Sequence, residues 1–158
     1  MRKILRWMGI ALLVSSCSSI DCQLNNQVMT SYRLKGDVTK LADTLSITTD
    51  IDNGNDSVVL NRAVGVDSIT LPISYAHSAD VFYFKVATSN HQFIDTVKVS
   101  KQDYPRFESV DCPAAIFHKI TEVSTTNHAI DSIVIHNANV NYESFKANFY
   151  IYFKKYLY

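Results

Sequence analysis

Apolar and polar residues alternate with a period of two through most of this chain. In residues 68–75, Ile69, Leu71, Ile73 and Tyr75 share one face, and Ser68, Thr70, Pro72 and Ser74 share the other. In residues 95–101, Val97 and Val99 oppose Thr96, Lys98 and Ser100; in 131–136, Ile133 and Ile135 oppose Ser132 and His136. In residues 149–154, Phe149, Ile151 and Phe153 oppose Tyr150, Tyr152 and Lys154. A period of two is the signature of a strand with one buried and one solvated face. Similar runs at 28–34, 44–49, 57–61, 81–87 and 116–123 bring the expected number to nine strands.

The residue types agree with the pattern, since Thr, Val, Ile, Tyr and Phe fill these runs and pack well on a pleated surface. No window carries a helical stripe. Turn-forming stretches punctuate the runs: Lys35-Gly36-Asp37, Asp52-Asn53-Gly54-Asn55, Ala63-Val64-Gly65, Ala87-Thr88-Ser89-Asn90 and Thr125-Thr126-Asn127-His128. Pro72 inside a run predicts an edge position or a bulge, because proline has no N–H for a central ladder. The expected fold is all-β: an antiparallel sandwich of about nine strands, immunoglobulin-like or related. A small β-barrel is the alternative.

The N-terminus breaks the pattern. Met1-Arg2-Lys3-Ile4-Leu5-Arg6 is basic, Trp7 to Val14 is short and mostly apolar, and Val14-Ser15-Ser16-Cys17 closes the segment. This has the build of a secretory signal. An aliphatic residue, two small residues and a cysteine form the pattern of a bacterial lipobox. The apolar run falls short of the roughly 20 residues that span a bilayer. The sequence therefore divides into a signal peptide (1–16), a lipidated N-terminus and short tether (17–26) and the β-domain (27–158). Cys17 is the expected lipidation site. Several acyl chains on it would hold the protein effectively permanently, where one chain binds only reversibly. An ordinary cleaved signal leaving Cys17 as a thiol is the other reading. Ser18 is not acidic, which favours the periplasmic side of the outer membrane, with surface display open.

Cleavage changes the charge. The whole chain is neutral, but Arg2, Lys3 and Arg6 leave with the signal, so 12 Lys and Arg face 15 Asp and Glu, a net charge of −3. A nucleic-acid partner, which wants a basic face, is not expected, and contact with lipid is expected through Cys17 alone. Two further cysteines, Cys22 and Cys112, sit in similar settings, Ile20-Asp21-Cys22 and Val110-Asp111-Cys112. An oxidising compartment lets them pair, and a bridge would tie the tether to the domain; two buried thiols are the alternative.

Candidate chemistry is sparse. Asp50, Asp52 and Asp56 flank Asn53-Gly54 in a loop that invites calcium, but Gly54 and Asn61 stand off the EF-hand positions, and Asn-Gly suits a hairpin turn. The histidines are His77, His91, His118, His128 and His136. None forms a metal-spaced pair, and exposed strand histidines are expected. With a hairpin at 125–129, His118 and His136 would lie opposite each other, with Glu122 and Asp131 nearby, still short of a zinc site. No G-x-S-x-G, P-loop or H-E-x-x-H is present, and no cofactor or enzymatic activity is expected. Tyr150 and Tyr152 make an exposed aromatic row suited to stacking sugars or meeting a partner; tyrosines simply packing on a sheet surface are the alternative.

Several stretches carry a family resemblance: Cys17-Ser18-Ser19-Ile20-Asp21-Cys22, Leu24-Asn25-Asn26, Leu60-Asn61-Arg62-Ala63-Val64, Phe107-Glu108-Ser109-Val110-Asp111-Cys112, and residues 137–141 before the last Phe/Tyr strand. Together they resemble a family of small Bacteroidetes lipoproteins of unknown function, DUF6452. The resemblance spans essentially the whole chain. It implies an envelope location and supplies no catalytic residues. Some members carry a calcium-binding label, which the turn reading does not support. The expected role is a binding or accessory module in an outer-membrane protein assembly; a glycan- or calcium-binding module is the alternative.

Overall fold

A computed structural model of the chain describes residues 28–50, 56–107, 112–142 and 146–155. These residues form ten strands: β1 (Met29–Lys35), β2 (Thr44–Thr49), β3 (Ser57–Ala63), β4 (Ser68–Pro72), β5 (Ala79–Ala87), β6 (Gln92–Arg106), β7 (Ala115–Thr125), β8 (Ile130–Ile135), β9 (Asn139–Val140) and β10 (Phe149–Phe153). They lie in a four-stranded sheet, ordered β4-β1-β10-β8, and a six-stranded sheet, ordered β3-β2-β5-β6-β7-β9. The fold is a β-sandwich.

All nine expected strands are present. The tenth, β9, is only two residues long, too short to leave a periodic trace. One pair departs from the antiparallel expectation: β1 runs parallel to β10, with Tyr32 opposite Phe149. A parallel pair needs a long connection, and here the whole six-stranded sheet intervenes between the two strands.

The inner faces meet in one core. Tyr32, Leu71, Phe149 and Ile151 enter it from the four-stranded sheet, and Leu45, Ile47, Phe84, Val86, Val97 and Val99 from the other. Tyr32 stacks on Phe149, centroids 4.6 Å apart, and meets Phe84 edge-on at 6.1 Å. It thereby joins the two layers. Such aromatic pairs contribute about 0.5–1.5 kcal/mol each beyond the area they bury.

The alternation fails in two places. β4 stops at Pro72, so Tyr75 is not on the core face and is 69% exposed. Pro72 does lie on an edge strand. In β7 the register slips: Ser100 faces Glu122 but Lys101 faces Ile120. This bulge leaves Thr121 unpaired and turns Ile120 and His118 inward. On β6 the parity is unbroken, so Lys101 follows Val97 and Val99 into the core and is 4% exposed.

Candidate functional site

The outer face of the four-stranded sheet gathers the tyrosines and much of the positive charge. β10 is central, so its outward Tyr150 and Tyr152 have neighbours on both sides. Arg33, Tyr150 and Val134 form one cross-strand row, and Lys35, Tyr152 and Ser132 the next. His136 stacks on Tyr150 at 4.2 Å, and the Lys35 Nζ lies 5.2 Å from the same ring centroid. Both tyrosines are half-buried, with their neighbours covering part of each ring. Lys154 and Lys155 follow β10, so four cations stand here against the carboxylates of Asp37 and Asp131.

Tyr152 owes its position to the turn after β1. Gly36 has φ +81°, a left-handed conformation that favours glycine, and a Cβ there would lie 2.9 Å from the Tyr152 Cδ1. The ring occupies the space that any other side chain would take. An open groove of about 450 Å³ runs beside it, lined by Lys35, Asp37, Asp131, Lys154 and Lys155. Lys155 is 3.6 Å from Asp37, both well exposed, so this pair adds little to stability.

A second polar group lies inside the sandwich. The Lys101 side chain is fully buried; its Nζ donates to the His77 carbonyl at 2.6 Å and to both Asp103 carboxylate oxygens at 2.8 and 3.0 Å. The buried His118 places Nδ1 2.6 Å from Asp103 Oδ1. Burial alone would raise the Asp103 pKa, but the bonds from Lys101 and His118 outweigh it and hold it below the usual value. The carboxylate is then ionised and only accepts, which assigns the proton to His118 Nδ1. Asp80 behaves oppositely. Burial pushes its pKa up, and Lys101, the Ser74 N–H, His118 and His77 only partly offset this. Among the described residues the hydroxyl of fully buried Tyr32 makes no hydrogen bond of good geometry, while nearby Thr30 donates to the Leu71 carbonyl. Burial raises the Tyr32 pKa, and Asp80 adds to the rise.

Asp95 is a third centre. Its fully buried carboxylate accepts from the backbone N–H groups of His128 (2.5 Å), Ala129 (2.7 Å) and Ile130 (2.8 Å) and from the Thr126 hydroxyl (3.0 Å). These donors form the passage from β7 in one sheet to β8 in the other. Burial alone would raise the Asp95 pKa; the backbone bonds from His128, Ile130 and Ala129 reverse that and lower it. This carboxylate acts as a clamp on the crossover.

Other expected candidates are dispersed. His118 and His136 do not face each other, because β7 and β8 belong to different sheets. For the same reason Glu122 and Asp131 are not brought together. The remaining histidines are exposed, but His118 is not: the β7 bulge turns it inward, 2% exposed. Asp50 and Asp56 open onto different grooves, and Asp52 lies outside the described residues. Thr49 pairs with Ser57, so β2 and β3 are antiparallel neighbours; the expected Asn53-Gly54 turn between them lies outside the described residues. Among the described residues no group of three or more His, Cys, Asp or Glu is placed to hold a metal ion. Cys17 and Cys22 also lie outside them. Sequence reading missed the Lys101 and Asp95 centres. Their only trace was parity: Asp95 and Lys101 lie in step with Val97 and Val99.

A family described as being of unknown function (DUF6452) matches residues 44–153. Neither the curated proteins nor the solved structures contain a match to the chain.

Proposed function

We propose a role for this chain from the premise that it belongs to the family of unknown function DUF6452. In this reading it is an envelope lipoprotein, held by lipid on Cys17 at the periplasmic side of the outer membrane. It works by binding, as an accessory module of an outer-membrane protein assembly. The supporting observation is the outer face of the four-stranded sheet, where Arg33, Lys35, Tyr150, Tyr152 and Val134 stand together. That face carries positive charge on a chain that is acidic once residues 1–16 are removed. Tyr and Arg supply much of the energy at protein interfaces. The test is capture from detergent-solubilised membranes of the native host. The native chain is expected to retain a specific partner, and Tyr150→Ala with Tyr152→Ala to lose it. Recovery of no specific partner by the native chain sinks the reading.

The groove beside Tyr152 favours a second reading, a glycan site, since an aromatic face flanked by Lys and Asp suits a sugar ring. Stabilisation by sugars in a thermal melt, without capture of a protein, would select it.

The anchor carries a proposal of its own. The same reading pairs Cys22 with Cys112, tying the tether to the domain. The intact mass of membrane-purified protein tests both points. It is expected to begin at Cys17 with acyl mass added, and to lie two hydrogens below the mass of the reduced chain. An unmodified N-terminus would remove the lipid anchor, and an unchanged mass on reduction would remove the bridge.

A further inference from the structure

Among the described residues the two sheets end on β4, β8, β3 and β9, and natural proteins blunt such edges against pairing with another chain. Three of the four are blunted. β4 is five residues long and ends on Pro72. β3 has two register breaks and Arg62 at φ 48°. β9 is two residues long. The remaining edge, β8, pairs regularly with β10 from Ser132 to Ile135, and its only break comes at Asp131. Val134 and Ile135 on it are 43% and 36% exposed.

The ladder shows which groups β8 offers. His136 N–H donates to the Asn148 carbonyl at 2.8 Å. Hydrogen-bonded and non-bonded pairs alternate along an antiparallel ladder. Val134 and Ser132 therefore also turn their backbone groups toward β10, and Ile133 and Ile135 turn theirs outward.

We propose that this edge pairs with β8 of a second copy of the chain, antiparallel, about a two-fold axis through Val134. Ile133 then forms a hydrogen-bonded pair with Ile135 of the other copy, and symmetry repeats it. Val134 faces its own counterpart in a non-bonded pair, where side chains approach closely. Ser132 faces His136. Charge also favours the second copy: β8 opens on Ile130 and Asp131 and leads into His136, so antiparallel self-pairing brings the carboxylate at the start of one strand toward the imidazole that follows the other. A one-residue slip would oppose inward Ile with outward Val, which fixes the register. The result is one eight-stranded sheet. Its outer row runs Arg33, Tyr150, Val134 and then through the same residues in reverse order, which doubles the proposed binding face.

The test uses the mature chain, residues 17–158, with Cys17→Ser, so its outcome does not depend on the lipid anchor. Val134→Cys is expected to crosslink to itself in a thiol redox buffer, reaching roughly ten-fold more dimer than Thr70→Cys on the opposite edge, as an ordered contact raises effective concentration. Val134→Lys sets like charges across the axis and is expected to sediment as a monomer at concentrations where the parent shows dimer. Val134 is exposed, so both variants should keep the parent's melting temperature, and a melt confirms it. Crosslinking of Val134→Cys no greater than that of Thr70→Cys, or a parent that sediments only as a monomer, overturns the proposal.

Discussion

Asp95→Asn is expected to destabilise the domain by about 3–5 kcal/mol, because bonds to a charged acceptor weaken and buried donors are left unsatisfied. That corresponds to a fall in melting temperature on the order of 10 °C for a domain of this size. The side chain is fully buried and gathers three backbone N–H groups and a hydroxyl. An asparagine keeps the shape but turns an amide NH2 toward some of those donors. Bonds to a charged acceptor contribute about 1.5–3 kcal/mol each, and the donors left unsatisfied add their own desolvation cost. Urea unfolding of parent and variant at neutral pH measures the difference. Its pH dependence has a defined sign. The Asp95 pKa is lowered in the fold, so its contribution is present above the ordinary carboxylate value of about 4 and is lost as pH falls through the lower folded value. The gap between parent and variant should therefore close only in acid below pH ~4. A gap under 1 kcal/mol at neutral pH would show that the crossover holds without its clamp.

Lys101→Met is the second large effect, also about 3–5 kcal/mol. Methionine fills much of the lysine volume but leaves the His77 carbonyl without its donor and Asp103 with His118 alone. It also removes the cation that partly offsets the burial of Asp80. Burial already raises the Asp80 pKa in the folded state. For a carboxyl of this kind the ionised form costs stability at neutral pH, and that cost is relieved as pH falls through the raised folded value. The Lys101→Met defect should thus shrink on mild acidification, at pH values above those where the Asp95 gap closes. Adding Asp80→Asn to Lys101→Met should restore part of the loss, since the uncompensated carboxylate is then gone. Additive effects in that double variant would mean that the two residues do not share a network.

These two centres mark where reading by alternation stops. Period-two alternation marks a buried face whether its residues are valine or aspartate. Asp95, Val97, Val99 and Lys101 share one parity on β6, yet charge suggests that the first and last belong outside. They are inside because β8 and the loop ahead of it bring N–H groups to one, and Asp103 and the His77 carbonyl meet the other. The N–H groups and the His77 carbonyl arrive from other segments and leave no local signal, while Asp103 lies two residues along the same strand. His118 was misplaced for a related reason, since a bulge opposite Lys101 reverses inside and outside for part of β7. The groups on Tyr150 and Tyr152 were half legible: parity placed both tyrosines outward, but Arg33, Lys35 and His136 reach them only through the pairing of β1, β10 and β8.

The amino-acid sequence by itself determined nearly all the strands, their inward residues and the edge position marked by Pro72. Each of these follows from local periodicity and from what a single residue type permits. Only the tertiary structure decided the parallel β1–β10 pair, the separation of His118 from His136, the buried Asp95 and Lys101 centres and the place of β8 at the end of its sheet among the described residues. Strand order is chosen by burial summed over two whole sheets, and a charge can enter a core only where distant segments supply its partners.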